Sequence, residues 1–432
     1  MSNNGRRKYG FLVAVAYASL AALAVGGGQA LAFPPGGCGI ETVEIQDPSC
    51  SSFACDDPIE RDLWGHATSS DIVKVRIKFN VFGNDQGTQF ATTPLLLDRQ
   101  LAILNEQFLS NNIEFVEVGR EFTTDTRFFD FGGSEAQYPT FFCFVNCRLA
   151  SCNSEEAAMK TQHADNPAQN MNIYVTDLES HTGFAGFGYF PWCSDATGTM
   201  GGIVINGAHL GGQGDCVDFD TGEDADCTVL AHEMGHNLGL HHTQRGVSEV
   251  TACTPCWEGS ECSNDGCNDP DCDTVGDYCC DTPPTPVNSY CSDTSIDDYC
   301  LQPIGLIQGT DYTNYMGYGG DGCVNHFSAR QKLRTQCWSC GSITGLMDDS
   351  AVGGCCGGTT ETGECLDTTA ACCTNVGGTF LGVGVSCNAI GGCCLGGGSC
   401  LHTTGCDCAD QGGFFQTGLT CNAPIWCSMP GP

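Results

Sequence analysis

The run Ala231-His232-Glu233-Met234-Gly235-His236-Asn237-Leu238-Gly239-Leu240-His241-His242 decides how this chain is read. His232 and His236 stand four residues apart, so on a helix both imidazoles leave one face. Leu230, Met234 and Leu238 repeat at the same spacing on another face and predict the side that anchors the helix to a core. Glu233 sits beside the first histidine, where a carboxylate reaches water held on a metal. Gly239 permits the positive φ that ends a helix, and the turn lets His242 swing back as a third ligand. Three protein ligands leave one position open, which a catalytic zinc needs and a closed structural zinc lacks. A histidine-rich helix that only packs has no use for the added glycine and third histidine of this HExxHxxGxxH pattern. His241 is read as a neighbour of the site. His66, His163, His181, His209 and His326 have no ligand spacing.

Three stretches further along extend the pattern: Gly276-Asp277-Tyr278-Cys279-Cys280-Asp281-Thr282-Pro283-Pro284, Asn314-Tyr315-Met316-Gly317-Tyr318 and Asp321-Gly322-Cys323. With Thr243 after the third histidine, they resemble the pappalysin family of metzincin zinc metallopeptidases, over roughly residues 71 to 336. The resemblance implies an α/β (α+β) catalytic domain with a mixed sheet and an active-site helix. It implies a secreted zinc endopeptidase, with a zinc-activated water and Glu233 as general base. Met316 becomes the structural residue of a turn beneath the zinc. Tyr318 becomes a stabiliser of the oxyanion, a packing aromatic being the other reading. Asp277 and Thr282, with Asp281, become calcium ligands; the acidic loop Asn268–Asp273 is a second candidate, with a solvated acidic loop as its alternative. Asp321 becomes a carboxylate in the substrate pocket, favouring Arg or Lys after the scissile bond, unless it caps its turn. Gly202, Ile203 and Val204 become the edge strand along which an extended substrate lies. Cys291 would pair with Cys323, and Cys272 with Cys300. Gln244, where the family commonly has an aromatic, and a Cys-, Asp- and Asn-rich insertion over 256–272 depart from the pattern. The rivals are a metzincin of another branch, astacin-like or matrix-type, and a secreted adhesion or matrix protein with an inert peptidase fold. An intact Glu233 argues against the inert fold.

Working outward, Ile72–Phe82 alternates apolar and polar, as does Ile113–Val118, and both read as strands; Met171–Thr176 reads as another and Gly202–Ile205 as a fourth. Thr93-Pro94 opens a helical pattern through Leu97, Leu101, Leu104 and Phe108. Asp226 or Thr228 caps the helix entered at Val229. The expected catalytic domain is 71–340. Residues 33–70 form a Cys-containing lead-in, either a pro-segment or an extension. From 341 to 432, Gly and Cys dominate and a unit repeats: Gly354-Cys355-Cys356 returns as Gly392-Cys393-Cys394, and Gly377-Gly378-Thr379-Phe380 as Gly412-Gly413-Phe414-Phe415. Units of ~35–40 residues are too small to hold a core unaided, so disulfides must hold them. They read as a spacer or as a binding module.

Composition sets the compartment. The chain has 432 residues and 34 cysteines, an even number that points to a disulfide framework outside the cytosol. A multi-zinc reading would need repeated CxxC pairs, and only Cys253/Cys256 and Cys337/Cys340 have that spacing. Arg6, Arg7 and Lys8, the apolar run Phe11–Val25 and Ala30-Leu31-Ala32 form a signal peptide over 1–32, cut after Ala32. The run is short of the ~20 residues a membrane span needs. Sixteen basic residues stand against 51 acidic, a net charge of -35 that argues against nucleic acid or an anionic membrane as partner. A peptide or protein substrate remains, with the oligomeric state open.

Overall fold

The computed structural model describes residues 37–38, 54–56, 58–63, 72–131, 144–145, 148–149, 154–178, 184–192, 196–211, 227–244, 277–282, 311–319, 323–341, 343–347, 352–356, 366–387, 389–395, 399–417 and 421. The signal-peptide reading, the loop Asn268–Asp273, Asp321, Cys272, Cys291 and Cys300 lie outside them.

The strands in chain order are β1 (Gly37–Cys38), β2 (Val73–Gly83), β3 (Ile113–Thr124), β4 (Phe144–Val145), β5 (Arg148–Leu149), β6 (Met171–Thr176), β7 (Phe184–Gly188), β8 (Ile203–Asn206), β9 (Val352–Cys356), β10 (Leu366–Thr369), β11 (Thr379–Val383), β12 (Ile390–Leu395), β13 (Ser399–Thr404) and β14 (Phe414–Thr417). The principal sheet is mixed, in the order β1-β7-β8-β6-β2-β3. β3, β2, β6 and β8 run parallel, β7 is antiparallel to β8, and β1 lies parallel to β7. β4 and β5 form a separate hairpin.

Alternation along the strands sorts side chains between two faces. Val73, Val75, Ile77, Phe79 and Val81 of β2, Met171, Ile173 and Val175 of β6, and Ile203 and Ile205 of β8 share one core with Leu97 and Leu104, Leu230, Met234 and Leu238, and Cys337 and Trp338. Those last groups lie on the helices Pro94–Gln107, Val229–Asn237 (Leu238 just past its end) and Ala329–Gly341. The helix Pro94–Gln107 begins as its sequence predicts, with the Thr93 hydroxyl accepting from Leu96 N. Thr228 caps Val229–Asn237 by position only, its side chain making no capping bond. The opposite sheet face carries the helix Ser154–His163, whose Lys160 Nζ lies 5.7 Å from the Tyr174 ring centre and 5.8 Å from that of Phe187.

One strand expectation changes. Ile203 and Val204 sit in β8, between β6 and β7, so they do not form an edge, and Gly202 turns into that strand at φ +85°. Alternation identifies a strand but not its neighbours. β8 is buried on both faces and paired on both sides, and the strand beyond it toward the edge is β7.

The lead-in is tied to the domain. Cys55 is bonded to Cys337, and the buried Arg334 guanidinium meets the Asp56 carboxylate at 2.5 Å. At the other end the fold runs past 340: Cys340 is bonded to Cys372, Met347 bridges to Val75 of β2, and Ile343 and Leu346 are buried. The internal repeat takes a repeated shape. β9 lies between β10 and β11, and β12 between β13 and β14, each sheet with a short helix, Ala370–Asn375 or Gly405–Asp410. Cys355–Cys373 and Cys393–Cys408 occupy matching places in the two units, and Cys356–Cys406 joins them.

Candidate metal centre

His232, His236 and His242 are buried and converge. Their Nε2 atoms lie 3.1 Å apart for His232 and His236, 3.0 Å for His236 and His242, and 3.1 Å for His232 and His242. The other ring nitrogens are committed elsewhere: Nδ1 of His232 is 2.6 Å from Tyr315 O and Nδ1 of His236 is 2.8 Å from Leu240 O. A carbonyl at Nδ1 takes the ring proton there and turns the Nε2 lone pair inward. Burial, then the charge of His242, pushes His232 down to about 3; burial and both neighbouring rings push His236 well below its ordinary range. Three imidazole nitrogens facing one another at this spacing repel unless a cation lies between them. Zinc, at ~2.0–2.1 Å from each imidazole nitrogen, fits such a set.

The turn that delivers His242 depends on Gly239. Its φ is +88°, and a Cβ there would fall 2.0 Å from Trp338 Cδ1, so both conformation and space demand glycine. The Gly239 carbonyl accepts from Arg334 Nε at 2.5 Å. Arg334 also donates to Cys55 O, tying the turn to the lead-in.

Met316 is fully buried against the helix, where its sulfur takes the space a side chain at Gly235 would fill. Its amide donates to Asn314 Oδ1 and its carbonyl accepts from Thr243 N at 3.1 Å, which joins the turn to the residue after the third histidine. Asn314 Nδ2 donates to Gln331 Oε1 at 2.9 Å. The Tyr318 ring lies 4.9 Å from that of His242 and 6.0 Å from that of His232, half-buried at the rim of the triad. His241 turns away from the triad into an aromatic group with Phe190, Trp192 and Tyr278.

Asp277 and Thr282 stand together but face each other. Thr282 Oγ1 donates to Asp277 Oδ2 at 2.6 Å, and Cys279 N donates to Oδ1 at 3.0 Å. Burial pushes the Asp277 carboxyl up to about 7 against the pull of those bonds. Asp281 accepts from Ser328 Oγ and Arg330 N, closing this loop onto the helix Ala329–Gly341. Among the described residues, the three histidines are the one cluster with metal-ligand convergence. Cys323 is disulfide-bonded.

Two residues near the triad escaped the sequence reading. Gly186 and Gly188 of β7 lie directly under the metal helix, at Glu233 and Asn237. Their signal was present in Phe184-Ala185-Gly186-Phe187-Gly188, where glycines occupy alternate positions and leave one strand face bare.

A buried three-histidine set on a glutamate-bearing helix, closed beneath by a methionine turn and set against a mixed sheet, defines a metzincin-type zinc site. Sequence relatives agree with that class. Pappalysin-1 of Mus musculus is 32% identical over 170 residues, 39% of this chain. An extracellular metalloprotease of Colletotrichum graminicola is 26% identical over 275 residues, 62% of this chain and 78% of that protein. The chain spans only 9% of the length of the pappalysins it matches. A Tannerella forsythia promirolysin mutant is similar in structure at a TM-score of 0.47 and 19% identity, over 71% of this chain and 95% of that one. No family model matches the chain. By sequence the chain is thus similar to pappalysin-1 over about two fifths of its length and to a fungal extracellular metalloprotease over about three fifths. Among the described residues no helix is long and apolar enough to cross a membrane.

Proposed function

We propose that this protein is a secreted zinc endopeptidase. The observation that carries the reading is the convergence of three buried imidazole nitrogens within 3.1 Å of one another, with Glu233 next to the first of them on the same helix. His232, His236 and His242 would hold the metal. Zinc supplies Lewis acidity there and brings the pKa of water near ~7. Glu233 takes the proton of the attacking water and returns it to the leaving amide nitrogen. Tyr318, at the rim, donates to the oxygen that gains charge. Met316 holds the site from below without touching substrate.

An extended substrate needs an unpaired strand edge. β7 is the strand nearest the metal helix, but Gly37–Cys38 of the lead-in occupy its outer side here, so a substrate takes that side only once the lead-in leaves it, as the pro-segment reading of 33–70 requires. Substrate binding is therefore assigned to β7 in place of Gly202–Val204. Asp321 is retained as the candidate that favours Arg or Lys after the scissile bond. Calcium at Asp277 and Thr282 is retained only as a reading to test, because both side chains already bond within their own loop; a melting temperature that rises with added calcium and falls with EGTA supports it.

The deciding experiment is zinc stoichiometry with casein hydrolysis. Chelation by phenanthroline abolishes cleavage, added zinc restores it, and Glu233→Ala keeps zinc while losing activity. Full cleavage by metal-free protein ends the proposal.

A further inference from the structure

We infer that Gly186 is a positioning residue for Glu233: the missing side chain in β7 sets where the carboxylate stands. The inference rests on the reading of Glu233 as the general base.

β7 runs antiparallel to β8 with Gly186 opposite Ile205 and Gly188 opposite Ile203. Ile203 and Ile205 point into the core beneath the metal helix, so Gly186 and Gly188 present their bare face to that same helix. Neither glycine has a positive φ, so conformational freedom is not what requires them. Space is. A Cβ on Gly186 would lie 3.0 Å from Glu233 Cγ, 3.1 Å from Glu233 Oε1 and 3.2 Å from Val204 O. Ordinary carbon contacts begin at ~3.5 Å. Val204 O belongs to a strand paired on both sides and cannot retreat, whereas the Glu233 side chain can. The fully buried carboxylate would therefore move away from the strand by a few tenths of an ångström.

Gly188 does something different. A Cβ there would lie 2.4 Å from Asn237 Nδ2 and 2.7 Å from the Glu233 main-chain oxygen. Those contacts oppose the helix itself, so a side chain at 188 displaces both histidines along with the glutamate. The two glycines thus separate two settings: Gly188 fixes how closely helix and strand approach, and Gly186 fixes where the carboxylate rests once they have. Proton transfer depends on that second setting, since misplacing a reacting group by ~1 Å costs on the order of 100-fold in rate.

The test is Gly186→Ala, alone and in a Glu233→Asp background, with zinc content, kcat and KM on a quenched peptide, and melting temperature all measured. The expected result for Gly186→Ala alone is unchanged zinc, KM within about twofold and kcat about tenfold lower. In the Glu233→Asp background the shorter carboxylate clears the new methyl, so Gly186→Ala lowers kcat by less than about twofold and melting temperature by less than in the native chain. An unchanged kcat, a parallel loss of zinc and KM, or equal losses in both backgrounds overturns the inference. If Gly186→Ala alone fails to fold, folding of the double variant upholds the inference and its failure overturns it. Full activity of Glu233→Ala would instead remove the proposed base, while the melting-temperature coupling between 186 and 233 would still report whether the two positions touch.

Discussion

The metal helix and the two C-terminal units are both short, glycine-bearing stretches, yet they are held by different means. Val229–Asn237 is surrounded: every residue from Leu230 to Asn237 is buried, its loop ends on Arg334, and the methionine turn closes it from below. The units after Val352 bury little besides half-cystines: Cys355, Cys356, Cys372, Cys373, Cys393 and Cys408 are buried, whereas Val383, Ile390, Leu401 and Phe414 stand exposed. Packing fixes side chains to tenths of an ångström, as three converging imidazoles require. Disulfides fix the path of the chain without fixing a surface. The difference teaches that positional accuracy in this molecule comes from the core, and covalent bonds maintain what the core does not reach.

The sharpest way to break that comparison is to cut between the two regions. Ending the chain after Gly341 removes the buried Ile343, Leu346 and Met347. At ~1.5–3 kcal/mol for each buried apolar side chain, the loss is about 4.5–9 kcal/mol. Ending it after Met347, with Cys340→Ser, keeps all three. The first chain is expected to be insoluble or molten by near-UV circular dichroism, and the second to fold and cleave peptides. Equal behaviour of the two would move the boundary back to the composition change at 341.

Next in size is Gly239→Ala. Strain at φ +88° and the collision with Trp338 act together, for a loss of ~3 kcal/mol or more. Because the same turn carries His242, zinc content and melting temperature are expected to fall together. A variant that melts lower but keeps full zinc would uncouple the turn from the metal.

The converse change lies in the second repeat. Replacing Cys393 and Cys408 by Ser opens a link with a sequence separation of 15 residues. It removes ~3 kcal/mol of local stability in the chain-entropy model. Limited proteolysis should then clip β12–β14, while peptide cleavage stays within about twofold of native. Lost cleavage would show that the repeats support the site.

What was legible in the sequence follows the same division. The three histidines, Glu233, the turn at Gly239 and the alternating strands Ile72–Phe82 and Ile113–Val118 could be read because each is a local pattern. β6 falls on Met171–Thr176, the bounds read from the sequence. Contacts made across long sequence distances could not be read. Arg334 meets Asp56 from 278 positions away, as the residue numbers show, and no periodicity announces it. In β7 alternate glycines erase the apolar signal that marks a strand, and with β7 invisible its neighbour β8 reads as the edge. The buried pair of Lys160 and Glu156, 2.7 Å apart, was hidden because charged residues on a helix ordinarily signal its solvent face.

The smallest expected effect is a pH dependence in the segment that supports the methionine turn. His326 Nε2 lies 3.0 Å from Asp311 Oδ2, and the His326 carbonyl accepts from Tyr315 N, whose own carbonyl meets His232. The hydrogen bond to Asp311 raises the His326 pKa, outweighing burial. Burial lifts the Asp311 carboxyl, but the bond and charge of His326, with Thr313 and Asn314, outweigh that and hold it below its ordinary value. For a raised histidine the stabilisation is complete below the unfolded pKa of ~6.5 and is lost as pH rises through the folded value. For a lowered carboxylate it is present above the unfolded value of ~3.9 and is lost as pH falls through the folded one. The pair therefore stabilises most between those limits and fades toward alkaline pH. The His326 side chain is 42% exposed, so solvent screening keeps the gain under ~1 kcal/mol. Melting curves at pH 5.5 and 8.5 for the native chain and His326→Gln measure it. The native advantage at pH 5.5 is expected to be about 2 °C or less and to vanish at pH 8.5. An advantage that grows with pH would mean that the neutral ring, and not the ion pair, supports the turn.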